Sequence, residues 1–397
     1  MKELDQAIGF SLTPEQLEYQ RLAREFASRE LSTQAQKYDT DSKVPIELLK
    51  RMQSSGLVNV RLPELCGGIG LKTLEACLIA EELASGCSGI ASASEASELA
   101  IMPLILFGSD QQKRAMLSPL ASESGFAGLF SGCCAGTGMP LRAVHKADRY
   151  VLDGTIDGVI NANIAEWFLV EAEIFEVEHA AIDPRVGRGT WSAFCLPSKT
   201  SGLSLLASPV NLGRRACDLA SVTCSGVELA ERHRIRFSGD RHSFANQVSC
   251  YNSPVIAAGC VGVAKAALTH AIAYAKERHA FGKPIAEHQG LAFMIADMAR
   301  MIEAARVMVL RAARACDSGW GNPNLAEAAK AYAKETAMLV TTDAVQIFGG
   351  YGYSREYPVE KLMRDAKVYQ LFAGTDESIK GNLGRHLLLD DRGWQCR

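Results

Sequence analysis

Residues 364–385 read RDAKVYQLFAGTDESIKGNLGR. The stretch combines the end of one helix, a sharp turn at Ala373-Gly374-Thr375 and the start of a second helix that Thr375 can cap. A helix start of this kind presents free N–H groups and the positive end of the helix dipole, so it attracts polar or anionic ligand groups. The turn predicts a helical C-terminal region with a ligand-facing corner.

Working outward from that corner, apolar residues recur at helical spacing from about 240 to the end, with long segments near 251–278, 288–317 and 324–348. Ile295, Met298, Ile302, Ala305 and Val309 form one buried face, as a bundle helix requires. Between about 124 and 238 the texture changes. Short apolar runs, Tyr150-Val151-Leu152, Trp167 to Val170 and Ser192 to Cys195, are punctuated by Asp-Gly, Gly and Pro, which predicts an antiparallel sheet. Before about 123 the spacing is helical again. Thr13-Pro14-Glu15-Gln16 and Ser109 with Gln112 read as capping boxes, and an amphipathic run passes through Leu74, Leu78 and Leu83. The expected class is therefore α+β, with an N-terminal helical domain (1–123), a central antiparallel β domain (124–238) and a C-terminal helical bundle (239–397).

Composition sets outer limits. The chain has 397 residues, 48% of them hydrophobic and 22% charged, which is ample for two or three packed units. A formal charge of -3 argues against a broad nucleic-acid-binding face. No apolar run reads as long enough to span a bilayer, and MKELDQAIGFSLTPEQ has neither a signal-peptide core nor an arginine-rich transit segment, so no membrane partner and a cytoplasmic or mitochondrial-matrix location are expected. The 12 cysteines are scattered without a CxxC pair, and Cys77 and Cys260 sit in apolar surroundings, as buried reduced thiols do. The vicinal Cys133-Cys134 stands out, but no histidine lies at ligand spacing, so no metal site is expected.

The 364–385 stretch resembles the signature of the acyl-CoA dehydrogenase family, as do GFSLTPEQ, LPELCGGIGL with EELASGCSG, MPLILFGSDQQK, PVIAAGCVGVA, ERHAFGKPIAEHQG, DAVQIFGGYGY and EYPVEKLMRDAKVYQ. The likeness covers nearly the whole chain and is strongest to medium-chain enzymes. It implies the helical, sheet, helical fold, a tetramer, FAD, an acyl-CoA ligand and an electron-transfer flavoprotein as acceptor. In the family the turn carries a glutamate that removes the alpha proton of the acyl thioester while hydride passes from the beta carbon to flavin. Here that position is Ala373, which cannot accept a proton, so the resemblance assigns no catalytic residue.

The remaining family residues divide into two sets. The RxxFG and QxxGG motifs, which in the family hold the FAD of a neighbouring subunit, are kept as Arg278, Phe281, Gln346, Gly349 and Gly350. A permanent guanidinium fork suits a pyrophosphate, and glycines let backbone N–H groups approach it. Arg278 by itself reads better as a surface ion-pair former, and it is the combined set that favours cofactor contact; a family hydroxyl beside it is Ala280. Thr375 and Glu377 match cofactor-contacting positions. On the flavin-ring side the family's loop appears as Ser131 to Gly138, keeping the hydroxyls of Ser131 and Thr137, while the ring-packing tryptophan and its threonine align with Gly158 and Ile160. On the substrate side an Asp and an Arg align with Cys250 and Ser253, the alternative base position is Asn252, and Glu95 matches the floor of the acyl pocket, with a solvated helix charge as its plain alternative.

Losses thus fall on this chain's own site and retention on what it offers a neighbour. The first expectation is a subunit of a hetero-oligomeric acyl-CoA dehydrogenase, paired with a paralogue that carries the missing glutamate. The second is a homo-oligomeric FAD enzyme whose acyl-CoA chemistry needs no base at 373 or uses a displaced one such as Asp376. The third is a non-enzymatic member of the fold.

Overall fold

The computed structural model describes residues 11–122, 125–130, 141–176, 190–208 and 210–389. Its N-terminal part comprises α1 (Pro14–Phe26), α2 (Ala35–Asp41), α3 (Ile46–Ser54), the long α4 (Thr73–Phe107) and α5 (Asp110–Leu117). Both capping boxes form: Thr13 accepts from Gln16 N and Ser109 from Gln112 N, each at 3.2 Å, and each glutamine returns a bond.

The strands are β1 (Phe126–Phe130), β2 (Leu141–Lys146), β3 (Arg149–Ile160), β4 (Ala165–Glu176), β5 (Thr190–Pro197), β6 (Leu203–Ala207), β7 (Leu219–Ala230) and β8 (Arg234–Ile235). They form one sheet in the order β6-β7-β3-β1-β4-β5-β8, with β2 in the lane of β1, between β3 and β4. The sheet is mixed, which corrects the antiparallel expectation. Most pairs are antiparallel, but β1 and β2 both run parallel to β4. The cause is the turn after β3. Instead of folding β4 straight back onto β3, the chain crosses the β1/β2 lane, and buried Asn161 fixes that crossing: its Nδ2 donates to Ala93 O and Ala127 O at 2.9 and 3.0 Å.

The C-terminal part holds α6 (Arg241–Glu277), a short hairpin of β9 (His279–Ala280) and β10 (Lys283–Pro284), then α7 (Gln289–Asp317), α8 (Pro323–Phe348), α9 (Pro358–Tyr369) and α10 (Asp376–Leu389). On α7, Met298, Ile302, Ala305 and Val309 are buried as their spacing requires, while Ile295 at the start of the face is only half-buried against the core. Helices α4 and α6 differ from expectation. Both are long and apolar enough to cross a bilayer by length and composition, and 83% and 72% of their most apolar stretches are buried inside the protein. Neither is amphipathic, because α4 is covered on all sides by α1, α6, α7 and the sheet. The two pack closely where Gly259 of α6 leaves room: a Cβ there would stand 2.3 Å from the Tyr369 hydroxyl and 3.2 Å from Glu95 Oε1.

Candidate functional site

The 373–375 turn joins α9 to α10 with Ala373 at φ 55° and Gly374 at φ 99°. Thr375 caps α10, its Oγ1 accepting from Ser378 N at 3.3 Å. Glu377 is exposed, and its own backbone N–H and the Thr375 hydroxyl hold its carboxyl below the usual range, so within this chain it behaves as a capping group. Two lysines of α8 pin the carbonyls of the turn. Lys334 Nζ donates to Phe372 O at 2.8 Å and Gly374 O at 2.7 Å, and Lys330 Nζ donates to Ala373 O at 3.1 Å. Sequence reasoning missed both, although two lysines one turn apart on an alanine-rich buried helix were a visible signal.

Glu95 is only 8% exposed, so it is not a solvated charge. Its Oε2 pairs with Arg214 Nη1 at 2.8 Å, and the Arg214 guanidinium lies 3.9 Å from the centroid of the Tyr369 ring. Burial pushes the Glu95 carboxyl up further than Arg214 pulls it down. One turn along, Glu98 pairs with Arg61 at 2.9 Å. Arg61 also reaches the side chain of Asn252, whose Nδ2 donates to Leu99 O, so the residue at the alternative base position is a buried structural group. Around these pairs a cavity of about 20 Å³ remains, lined by Leu57, Val60, Ser94, Glu95, Glu98 and Tyr369 among others. That is room for about one water.

A larger apolar cavity, about 250 Å³, opens beside Gly158 and runs to Leu212, Cys217, Val368, Leu371 and Phe372. Gly158 has φ 74° and sits in a bulge of β3 where its pairing to β7 shifts register. A tryptophan there would be strained, and its absence leaves the cavity open. The space and its apolar walls fit a planar ring. The cavity does not reach the pyrophosphate set. Gln346, Gly349, Gly350 and Arg278 are all exposed, with Arg278 5.5 Å from the centroid of the Tyr351 ring. Phe281 is 95% exposed at the tip of the β9-β10 hairpin, with φ 54° there and 82° at Gly282, the backbone of a primed turn. Ser131, Cys133, Cys134, Thr137 and the side chain of Asp376 lie outside the described residues. Among the described residues no cluster of three metal-binding side chains occurs.

One further cavity, about 50 Å³, lies against the turn itself. Ala373 and Gly374 line it together with His242, Asn246, Ser249 and Glu327. Glu327 Oε1 accepts from the Ser253 hydroxyl at 2.6 Å and from Lys330 Nζ at 2.9 Å. Its side chain is 14% exposed. This carboxylate too was missed, because the positions that assemble around it are far apart in sequence.

Family models described as acyl-CoA dehydrogenase, N-terminal domain, and acyl-CoA dehydrogenase, C-terminal domain, match residues 13–124 and 251–388. The chain is 33% identical over 385 residues to an acyl-CoA dehydrogenase of Bacillus subtilis, covering 95% of this chain and 99% of that protein. It is also similar to a chain in the solved structure of the electron transferring flavoprotein of Acidaminococcus fermentans, with 32% identity, a TM-score of 0.88, and 96% and 100% of the two chains covered. Butyryl-CoA dehydrogenase from Megasphaera elsdenii shows 30% identity and a TM-score of 0.87 over 96% of this chain and 99% of its own.

Proposed function

Because the chain belongs to the acyl-CoA dehydrogenase family, which is FAD-dependent, we propose that it works as a subunit of a mixed acyl-CoA dehydrogenase assembly and helps to hold the FAD of a neighbouring chain. The observation that carries this reading is the 95% exposure of Phe281. A phenylalanine held into solvent on a tight turn, its ring 6.0 Å from that of His288 and beside exposed Arg278, gains burial only from something outside the chain. Arg278 and the open backbone at Gly349 and Gly350 supply a guanidinium and N–H groups for a pyrophosphate. The neighbour is a paralogue bearing the glutamate absent at Ala373, and an electron-transferring flavoprotein is the proposed acceptor for the assembly.

This chain's own site differs from such a paralogue in three ways. It lacks the base, the Glu95–Arg214 and Glu98–Arg61 pairs leave no acyl-length space, and Gly158 offers no stacking ring. One observation favours a second reading, in which this site still takes a short acyl-CoA: Glu327 places a carboxylate in the cavity that Ala373 lines.

The visible spectrum of the purified chain, alone and then co-expressed with a glutamate-bearing relative, tests these readings. Flavin bands only in the mixed complex are expected. Bands from the lone chain would replace the helper role with a self-sufficient homo-oligomer, and no bands in either would leave a member of the fold without flavin chemistry.

A further inference from the structure

We propose that Glu327 is the proton acceptor of this chain's own cavity, taking the α-proton of a short acyl thioester in place of the side chain missing at Ala373. The proposal rests on the reading that the cavity still takes an acyl-CoA, and it holds whichever chain faces Arg278.

Three features of the geometry support it. First, among the described residues lining the cavity beside Ala373, Glu327 supplies the carboxylate. Glu95 and Glu98 are sealed against arginines in the neighbouring core, with side chains 7% and 5% exposed, whereas Glu327 keeps 14%. Second, Lys330 ties that carboxylate to the turn. Its Nζ lies 2.9 Å from Glu327 Oε1 and 3.1 Å from Ala373 O, so the two oxygens are no more than 6.0 Å apart. A glutamate on α8 therefore delivers its carboxylate to the neighbourhood that a glutamate at 373 would have served. Third, the two oxygens of Glu327 are differentiated. Oε1 takes both the Ser253 hydroxyl and the Lys330 ammonium, while Oε2 accepts no protein hydrogen bond among the described residues. One oxygen orients the group and the other stays clear of protein donors, open to a substrate proton as a general base must be.

The step balances without a redox partner. The Cα–H bond of the thioester breaks and an O–H bond forms on Glu327 Oε2. The electron pair stays on the substrate as an enolate spread onto the thioester oxygen, beside the positive charge of Lys330. Exchange of the carboxyl proton with solvent and return of a proton to Cα complete a cycle that needs no flavin.

The test uses butyryl-CoA and the intact protein in its native assembly. Calorimetry measures binding, and NMR in D2O measures deuterium entering the α-methylene. We expect binding and exchange in the wild type. Glu327→Gln should bind butyryl-CoA within about twofold and exchange about 10²- to 10⁴-fold more slowly. Glu327→Asp, which keeps a carboxylate but withdraws it by one methylene, should exchange at an intermediate rate, and it decides the matter if the glutamine variant fails to fold. Wild-type binding without exchange, or either variant exchanging at the wild-type rate, overturns the assignment while leaving acyl-CoA binding intact. Failure of the wild type to bind butyryl-CoA overturns both the assignment and the reading on which it rests.

Discussion

At the scale of single residues, position 373 shows how one substitution reaches beyond its own side chain. Ala373 holds the left-handed backbone that its turn demands, at φ 55°, a conformation that costs a residue with a Cβ about 1–2 kcal/mol. Its carbonyl and the carbonyls on either side are bound by Lys330 and Lys334, so the turn stays built although the group it would present is gone. Restoring that group separates two deficits. A positioned base contributes about 10²- to 10⁴-fold, but it does not reopen the space that the Glu95–Arg214 and Glu98–Arg61 pairs fill. In the FAD-loaded assembly, Ala373→Glu is therefore expected to raise dehydrogenation of butyryl-CoA and leave octanoyl-CoA at background in a dye-reduction assay. Equal gains with both substrates would mean that the buried ion pairs yield to a longer chain.

At the scale of elements, α9 is held to its neighbours by buried charge. Lys361 Nζ pairs with Asp365 Oδ2 at 2.6 Å, and Asp365 also accepts from the Ser88 hydroxyl at 2.9 Å and from Arg214 N at 2.6 Å. Burial alone would raise the Asp365 carboxyl, but Lys361 and these hydrogen bonds hold it below the usual carboxylate range. A depressed folded value means that its contribution is present above the unfolded value of about 3.9 and is lost as pH falls through the lower folded value. Lys361 is shifted upward: burial opposes its charge and Asp365 more than compensates. Its contribution is present below about 10.4 and is lost as pH rises through the higher folded value. Asp365→Asn leaves a buried lysine unpaired and should cost about 3–5 kcal/mol at pH 7. In urea unfolding series the gap to wild type should narrow below about pH 4. A gap that stays constant to pH 2 would contradict a depressed Asp365.

The same scale shows what could be read from the sequence. Thr13 and Ser109 each signal a helix start through a glutamine three residues away, Thr375 does so by its position after the turn, and all three caps form. The extents of α4 and α6 were not legible, because a helix covered on all sides loses the periodicity that marks its length. Nor was the parallel lane of β1 and β2 against β4, since strand order is set by the crossing at Asn161 and not by local spacing. The site divided in the same way. Ala373 and the Arg278 set stood in contiguous motifs, whereas Glu95–Arg214 and Ser253–Glu327 join residues 119 and 74 positions apart. Glu95 was picked out, but its partner could not be.

At the scale of the whole molecule, the residues that keep most of their surface in solvent are the most informative. Phe281 is 95% exposed, Tyr353 90% and Phe293 60%, so the surface around the retained motifs is more apolar than a solitary chain requires. Removing the ring of Phe281 should leave the stability of an isolated chain within about 0.5 kcal/mol, because the chain itself buries almost none of it. In an assembly the same ring is worth about 1.5–3 kcal/mol once buried. Phe281→Ser should therefore weaken each association step about 10- to 100-fold, read by sedimentation velocity over a dilution series. Arg278→Lys provides the complementary test. A lysine keeps the charge but loses the rigid donor fork, so flavin retention through gel filtration should fall while association is unchanged. If Phe281→Ser left both the sedimentation profile and the flavin content of the mixed complex at wild-type values, this surface would not be the one that meets a neighbouring chain.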